Sequence, residues 1–378
     1  MRILIGADFV PTSSNYELFS QANATALVGA ELERVLKDAD FRIFNLEVPL
    51  TDQQSPIDKC GPNLIAPTST INAYKALSVD LLTIANNHIM DQGEQGFFST
   101  METLQKSEIS YVGGGNNLAK AKEPYVFTLL EKKIGIYACV EHEFSIAEDK
   151  KCGANPFDPL ESFDHVQKLK KECDYVIVLY HGGKEHYRYP SPQLQKVCRK
   201  LVEKGADLVI CQHTHCVGCE EKYQGGTIVY GQGNFLFDMQ DNEFWSTSVL
   251  IEIKEDFKID YIPLVKTGNG VRLAAGVQAE EIRAGFQSRS EEIKQDGLIE
   301  QKYAEFAKKM IENYLLNISS IRYGFIFKVL NKLSKGRYLS WYIRRKYKKA
   351  KLLAIENYVE CEAHRELLLK GLQDRIKQ

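Results

Sequence analysis

Three short polar segments hold five of the eight histidines of this chain, and each follows a run of apolar, mostly β-branched residues. These histidines are His88, His181, His186, His213 and His215. The densest segment is His213-Thr214-His215, directly after the apolar run 208–211. Because side chains alternate along a strand, a strand that ends in His-x-His is expected to present both imidazoles on one face. The spacing therefore predicts a pair of metal ligands.

The other two segments have the same arrangement. Asn87-His88 follows the apolar run 80–85, and His181 follows the run 175–180. In open α/β sheets, catalytic groups collect at the carboxyl ends of the strands. Three polar segments after three buried strands therefore predict one shared site.

Two carboxylates are predicted to lie at the same edge. Asp8 follows the first apolar run, 2–7, and Glu47 follows the run 41–46, where Asn45 is expected to share a face with it. Carboxylate and amide oxygens together with imidazole nitrogens are the ligand mixture of dinuclear hydrolytic centres that use zinc, manganese or iron. The alternative is that the carboxylates are a helix cap and a turn residue, and that the histidines are paired at the surface.

The overall composition is that of a globular protein. The chain has 378 residues, of which 44% are hydrophobic and 26% charged, which is enough for one large domain or two unequal ones. A net charge of -2 predicts no bulk attraction to nucleic acid. No run of 18 or more apolar residues occurs, and the pattern at the N-terminus predicts a first core strand with no signal peptide ahead of it. We therefore expect a cytoplasmic protein.

The nine cysteines show no framework spacing, so we expect most of them to be reduced. One pair, Cys216 and Cys219, could form a zinc site with His213 and His215. However, the stretch 216–223 has the pattern of a strand that leads to a turn, which favours buried, apolar cysteines.

Strand and helix patterns alternate along most of the chain, which predicts a layered α/β fold. The predicted strands are 2–7, 41–46, 80–85, 109–113, 125–130, 133–140, 175–180 and 207–211. The predicted helices are 24–37, 69–77, 94–107, 160–173 and 191–204, the last with Ser191 as its N-cap and Pro192 at its first position. From 217 to 266, short turns between strand patterns favour a second, antiparallel sheet.

Long helical patterns dominate after about residue 278. We predict one domain at 1–275 and an all-helical C-terminal extension at 276–378. Residues 321–351 contain eleven basic residues and no acidic one, with aromatic residues interleaved. This pattern is typical of segments that lie on anionic membrane surfaces or bind polyanions. The alternative is a helical hairpin that packs its aromatic rings on the catalytic domain and exposes its lysines.

The ordered motifs resemble the CapA-type capsule-synthesis family, which is named for bacterial poly-gamma-glutamate capsule synthesis and is similar to the calcineurin-like metallophosphoesterases. The resemblance covers roughly residues 1–267. It rests on Asn86-Asn87-His88 with Asp91 and Gly93, on His181 with Glu185, on Gly205 with His213-Thr214-His215, and on Tyr230 with Gly233-Asn234 and Asp238. It implies a metallophosphatase-like sandwich of mixed β-sheets flanked by helices.

The resemblance also implies a ligand set for two divalent metal ions. Glu47 would bridge the two ions; Asn87, His181 and His213 would hold one; and Asp8 and His215 would hold the other. The broader superfamily begins with Asp-x-His, whereas this chain has Val10 at the histidine position. One of the two ions is therefore expected to be weakly held.

Further roles follow from the same resemblance. His88 would protonate the leaving oxygen, and Asp91 would orient its ring. Asn45, Glu185 and Asn234 are expected to support the ligands without binding metal, and His186 is expected to be a loop residue beside the site.

Two classes of function follow. The first is a metal-dependent hydrolase or related transferase that acts on an anionic metabolite or polymer in capsule or exopolysaccharide biosynthesis, with either a phosphoester or an amide as the bond cleaved. The second is a non-catalytic accessory protein of a capsule-synthesis complex, which docks on membrane or partner through its basic tail and is then peripheral to the membrane. We expect substrate specificity to lie in the loops 48–68 and 141–158.

Overall fold

The computed structural model describes residues 1–239, 242–319 and 325–376. These residues group into two compact units, 1–300 and 301–378. The helix Gly276–Glu292, which the predicted extension includes, is grouped with the first unit because Ile282 and Phe286 are buried in a core of that unit. The domain boundary at 275 itself stays a prediction.

The strands of the described residues are β1 (Ile3–Val10), β2 (Phe41–Asn45), β3 (Leu81–Thr83), β4 (Ser110–Val112), β5 (Gly114–Gly115), β6 (Tyr125–Leu129), β7 (Lys132–Val140), β8 (Gly153–Ala154), β9 (Tyr175–His181), β10 (Leu208–Gln212), β11 (Glu220–Tyr223), β12 (Gly226–Tyr230), β13 (Leu236–Phe237), β14 (Thr247–Ile253), β15 (Ile259–Thr267) and β16 (Gly270–Leu273).

The helices are α1 (Tyr16–Ser20), α2 (Ala24–Lys37), α3 (Ile71–Ala76), α4 (Gly93–Lys106), α5 (Leu118–Ala121), α6 (Ser162–Lys170), α7 (Pro192–Glu203), α8 (Gly276–Glu292), α9 (Leu298–Ile318), α10 (Phe325–Leu333), α11 (Arg337–Lys346), α12 (Lys349–Glu360) and α13 (Glu362–Ile376). The predicted cap of α7 is confirmed, because the Ser191 side chain accepts a hydrogen bond from the Leu194 amide at 3.0 Å.

Two mixed sheets form the first unit. The first has the order β16-β15-β14-β1-β2-β3-β4, in which β1 to β4 are parallel and β14 to β16 run antiparallel. The second has the order β11-β12-β10-β9-β7-β6, with parallel central strands and antiparallel edges. The expected separate antiparallel sheet at 217–266 is wrong, because β12 joins the second sheet and β14 and β15 join the first.

The two sheets face each other across an apolar core. Alternate residues of β1, such as Ile3 and Ile5, pack into the same core as Ile177 of β9 and Ile210 of β10. The opposite face of the first sheet, with Leu4, packs with α2 to α4, and the outer face of the second sheet packs with α6 and α7. This arrangement confirms the predicted layered sandwich of mixed sheets flanked by helices, with a helical C-terminal region.

In the second unit, α10 and α11 form a helical hairpin. The ring of Phe327 lies 5.4 Å from that of Tyr342 in an edge-to-face contact. Gly336, at φ 88°, supplies the left-handed conformation between the two helices. Four residues of the predicted basic segment, 321–324, among them Arg322 and Tyr323, lie outside the described residues. Within those residues, no helix has the length and apolar character that crossing a membrane requires.

Candidate metal centre

The predicted ligands lie where parallel strands of both sheets end. Asp8 is in the last part of β1, and Glu47 follows β2 by two residues. His181 is the last residue of β9, and Asn87 lies in the loop after β3. The structure therefore brings together residues that are far apart in the sequence.

The backbone conformation of the His-x-His pair differs from the strand conformation that the spacing predicts. Strand β10 ends at Gln212, and His213 (φ 84°) and His215 (φ 53°) both adopt a left-handed conformation. The two-residue period of a strand is therefore the wrong reason for their proximity. Both histidines still contribute to the cluster because the strained turn after β10 directs them there.

His181 lies at the centre of the cluster. Its Nε2 atom is 3.0 Å from Asn87 Oδ1, 3.1 Å from His213 Nδ1 and 3.2 Å from Glu47 Oε1. All four side chains are buried. Four potential ligand atoms from four separate segments of the chain thus converge on one point.

A second group of contacts surrounds His215. Its Nδ1 atom is 2.8 Å from Asn234 Oδ1 and 3.3 Å from Asp8 Oδ2. Asn45 Nδ2 donates to Asp8 Oδ1 at 2.7 Å and lies 3.2 Å from His181 Nδ1. Asn45 therefore links the two groups, and its supporting role stays a prediction.

The donor set fits a divalent cation. Each of Glu47, His213 and His215 has a ligand atom within 4.8 Å of a ligand atom of the other two. Both carboxylate oxygens of Glu47 are buried and accept no hydrogen bond from the described residues. A buried carboxylate without a hydrogen-bond donor is costly, and a cation would remove that cost. Val10, in contrast, is buried among apolar residues and offers no ligand atom.

The pKa values of the clustered side chains are shifted because these groups are buried and lie close to one another. Burial lowers the pKa of His213 well below its usual value, and the neighbouring histidines lower it further. For His215, burial acts in the same direction, but the hydrogen bond to Asp8 and the charge of Glu47 raise the pKa to about 9. Burial raises the pKa of Asp8, yet its contacts with His215 outweigh that effect and hold the pKa below the usual range. Asp8 and His215 thus stabilise the charged forms of each other, whereas His213 is held in its neutral form.

Beside the cluster lies a second group, formed by His88, Asp91 and Lys59. His88 Nδ1 is 2.6 Å from Asp91 Oδ2. The ammonium of Lys59 pairs with the other carboxylate oxygen and lies 3.2 Å from His88 Nδ1. The Leu64 amide also donates to Asp91, at 2.6 Å. Sequence reasoning missed Lys59, because it lies in an irregular loop without periodicity.

Aromatic side chains form a wall next to His215. The ring of Trp245 lies 4.6 Å from the His215 ring in a tilted arrangement, and its indole N–H donates to His186 Nε2 at 2.8 Å. His186 thus supports the wall and lies outside the group of ligand atoms. Glu185 is half-exposed, with its Oε1 atom 4.0 Å from His213 Nε2.

Seven of the nine cysteines are buried. All nine are free, and Cys216 and Cys219 are buried. Burial raises the pKa of the Cys216 thiol to about 11. Among the described residues, the group that could hold a metal ion consists of Glu47, His213 and His215 and includes no cysteine. The structure thus agrees with the buried, apolar interpretation of these two residues.

The fold and the site together define a class of protein: a layered α/β sandwich in which parallel strands of two sheets end at a buried histidine and carboxylate cluster suited to divalent metals. Residues 4–239 match the family model described as "Bacterial capsule synthesis protein PGA_cap". The chain belongs to this family, which confirms the resemblance found in its motifs.

Relatives of known name agree with this assignment. The "PGA biosynthesis protein CapA" of Bacillus subtilis is 29% identical over 215 residues, which is 55% of this chain and 56% of that protein. The "Capsule biosynthesis protein CapA" of Bacillus anthracis is 28% identical over 212 residues, which is 54% of this chain and 52% of that protein. A "Probable polyglutamine synthesis accessory protein" of Mycobacterium tuberculosis is 25% identical over 214 residues, covering 53% of this chain and 56% of that protein. The chain thus spans about half the length of the curated relatives it matches.

Solved structures show only weak likeness. A hypothetical protein from Thermus thermophilus aligns with a TM-score of 0.46 at 14% identity, covering 71% of this chain and 100% of that one. A putative 5'-nucleotidase from Staphylococcus aureus aligns with a TM-score of 0.43 at 14% identity, covering 76% of this chain and 58% of that one. Likeness at this level carries no argument about activity.

Proposed function

We propose that this chain is a metal-dependent hydrolase or related transferase in capsule or exopolysaccharide biosynthesis, acting on an anionic metabolite or a poly-gamma-glutamate-like polymer. The observation that carries the proposal is the convergence of His181, His213, Asn87 and Glu47 on one point, with both oxygens of Glu47 buried and without a hydrogen-bond donor among the described residues. A cation at that point would satisfy all of these groups.

Each residue of the cluster has a part in this proposal. One divalent ion would be held by Asn87, His181 and His213, and a second by Asp8 and His215. Glu47 would contribute to the binding of both ions. When bound, the ions would act as Lewis acids that activate water and neutralise charge on the attacked group. Asn45 and Asn234 hold Asp8, His181 and His215 in place through the hydrogen bonds described above.

His88 would supply the proton for the leaving group. Asp91 accepts from Nδ1–H and thereby fixes the orientation of the ring, and in the doubly protonated ring Nε2–H would give its proton to the leaving oxygen, which leaves a neutral imidazole protonated on Nδ1. His88 is not one of the proposed metal ligands. Proton transfer and metal binding would therefore depend on neighbouring but separate side chains.

The test is turnover by the purified full chain after metal removal and reloading with zinc, manganese or iron. A generic phosphodiester and a gamma-glutamyl peptide distinguish the two bond types. We expect metal-dependent turnover of one of them, lost in His213→Ala and kept in His165→Ala, a matched control on α6. A chain that takes up metal at this cluster and turns over neither substrate class contradicts the enzymatic proposal.

One alternative has specific support. Val10 stands where the superfamily has a ligand histidine, and the mycobacterial relative is named as an accessory protein. A non-catalytic role in a capsule-synthesis complex therefore becomes the better proposal if the metal-loaded chain is inert.

A further inference from the structure

Helix α10 presents an apolar stripe that other described residues leave uncovered. Phe325, Val329 and Leu333 are spaced four residues apart and therefore lie on one face of the helix. Their exposed fractions are 79%, 40% and 77%. Phe327, which packs against α11, points to the opposite side of α10. The stripe is therefore not the face of α10 that packs against α11.

Lysines flank this stripe. Lys328 and Lys332 are exposed on the same side of α10, and neither forms a salt bridge with any described residue. An apolar stripe bordered by lysines is the pattern of a helix that lies in the interface of a membrane.

Helix α11 adds a basic groove next to the stripe. The groove has a volume of about 1000 Å³ and is lined by Lys335, Arg337, Trp341, Arg344, Arg345 and Lys348. Lys335 follows the last stripe residue, Leu333, by two positions in the chain. Among the described residues, Arg344 pairs with Glu312, whereas the other cations of the groove form no salt bridge. The groove therefore carries uncompensated positive charge.

Trp341 strengthens the likeness to an interfacial surface. Its side chain is 53% exposed, and the guanidinium of Arg345 lies 5.5 Å from its ring centre. Tryptophan with adjacent arginine is favoured where an apolar phase meets charged headgroups.

We propose that the α10–α11 hairpin docks on an anionic lipid membrane, with Phe325, Val329 and Leu333 in the acyl boundary and the α11 groove on lipid phosphates. The charge complementarity would suit any polyanion, but a soluble polyanion gives no reason for a linear apolar stripe beside the cations. The hairpin would lie on the membrane rather than cross it. This proposal is independent of whether the metal centre is catalytic.

Vesicle co-sedimentation of the full chain tests the proposal. The vesicles are phosphatidylglycerol mixed with phosphatidylcholine, compared with phosphatidylcholine alone. The stripe variant is Phe325→Ser with Leu333→Ser, and the groove variant is Arg337→Gln, Arg345→Gln and Lys348→Gln. Two matched controls in the first unit make the same changes at exposed positions: Leu130→Ser with Leu160→Ser, and Lys106→Gln, Lys120→Gln and Lys294→Gln.

We expect the wild-type chain to bind the anionic vesicles and not the neutral ones. Loss of about fivefold per removed cation gives roughly a hundredfold weaker binding for the groove variant. The stripe variant should bind anionic vesicles at least about tenfold more weakly than the wild-type chain. Its binding to soluble polyglutamate should equal that of the wild-type chain. Both controls should bind like wild type, and circular dichroism should show that all variants are folded.

Three results overturn the proposal. They are a wild-type chain that does not bind anionic vesicles, a stripe variant that binds them with unchanged affinity, and controls that weaken binding as much as the variants do. In the second case, the hairpin is a site for soluble polyanions.

Discussion

At the residue scale, the centre depends on ligand atoms that only the fold brings together. His181 Nε2 contacts Asn87, His213 and Glu47 within 3.0 to 3.2 Å. The identities of these residues could be predicted because imidazole, carboxylate and amide groups after buried strands are recognisable in the sequence. Lys59 could not, because nothing in its irregular loop indicates that its ammonium is buried against Asp91.

The proposed roles of His88 and His213 predict different consequences for metal and turnover. His88→Ala should keep the bound metal, and its turnover rate should be about 10²- to 10⁴-fold lower than that of the wild-type chain, because only the proton donor is removed. His213→Ala should lose both metal and turnover. Metal content by mass spectrometry and steady-state rates check this. If His88→Ala empties the site, His88 is a ligand and the proposed role is wrong.

The buried contact between Lys59 and Asp91 predicts strong energetic coupling. Both side chains are at most 2% exposed, so removing one partner leaves a buried charge without its counterion. Lys59→Met and Asp91→Asn should each lower the free energy of unfolding by about 3–5 kcal/mol. The double variant should lose less than the sum, with a coupling of about 1–3 kcal/mol.

Denaturant unfolding measures this coupling. Lys106→Met is the matched control, because Lys106 is largely exposed and pairs with Glu102 on the same helix. It should change stability by about 0.5 kcal/mol or less. Additive effects of Lys59→Met and Asp91→Asn are inconsistent with a direct buried contact.

At the element scale, the site depends on turns as much as on strands. Gly233 has φ 74°, and a Cβ atom there would lie 2.5 Å from the Thr247 carbonyl oxygen of β14. Its neighbour Asn234 holds His215. Gly225 also has a positive φ, 85°, but faces open space.

These two glycines predict a graded effect of substitution by alanine. Gly225→Ala should cost about 1–2 kcal/mol of unfolding free energy, which is the backbone strain alone. Gly233→Ala should cost at least about 1–3 kcal/mol more and weaken metal binding, because β14 and Asn234 must move. Thermal unfolding and metal titration check both variants. Equal losses for the two contradict a tight turn at Gly233.

Element boundaries were predictable where one periodicity dominated. Helix α2 has the predicted bounds, 24–37, and α7 begins after the predicted Ser191 cap. The assignment of 217–266 to a separate sheet was wrong, because turn signals show where strands reverse but not which sheet they join. The left-handed backbone of His213 and His215 was also beyond prediction, since neither residue type requires it.

At the scale of the whole molecule, the two proposed functions reside in different units. The predicted ligands all lie within residues 8–215, and the proposed membrane surface lies within 325–348. A chain shortened to residues 1–300 should therefore keep the metal content of the full chain and lose binding to anionic vesicles. Metal analysis and co-sedimentation of the two chains test this. Loss of metal from a folded 1–300 chain contradicts the separation.

The family of the chain could be inferred from its motifs, and residues 4–239 match the family model. The layered sandwich followed from the alternation of strands and helices. The sequence predicts the choice between a catalytic and an accessory role less well than it predicts the family. The reason is that Val10 stands where the superfamily that the motifs resemble has a ligand histidine.

The most direct test of the metal centre is anomalous X-ray diffraction from crystals of the full chain grown with manganese or zinc. We predict an anomalous peak among Glu47, Asn87, His181 and His213, and a second peak, weaker in occupancy, beside Asp8 and His215. Metal-saturated crystals without a peak at the first position, or with their metal bound elsewhere, contradict the account.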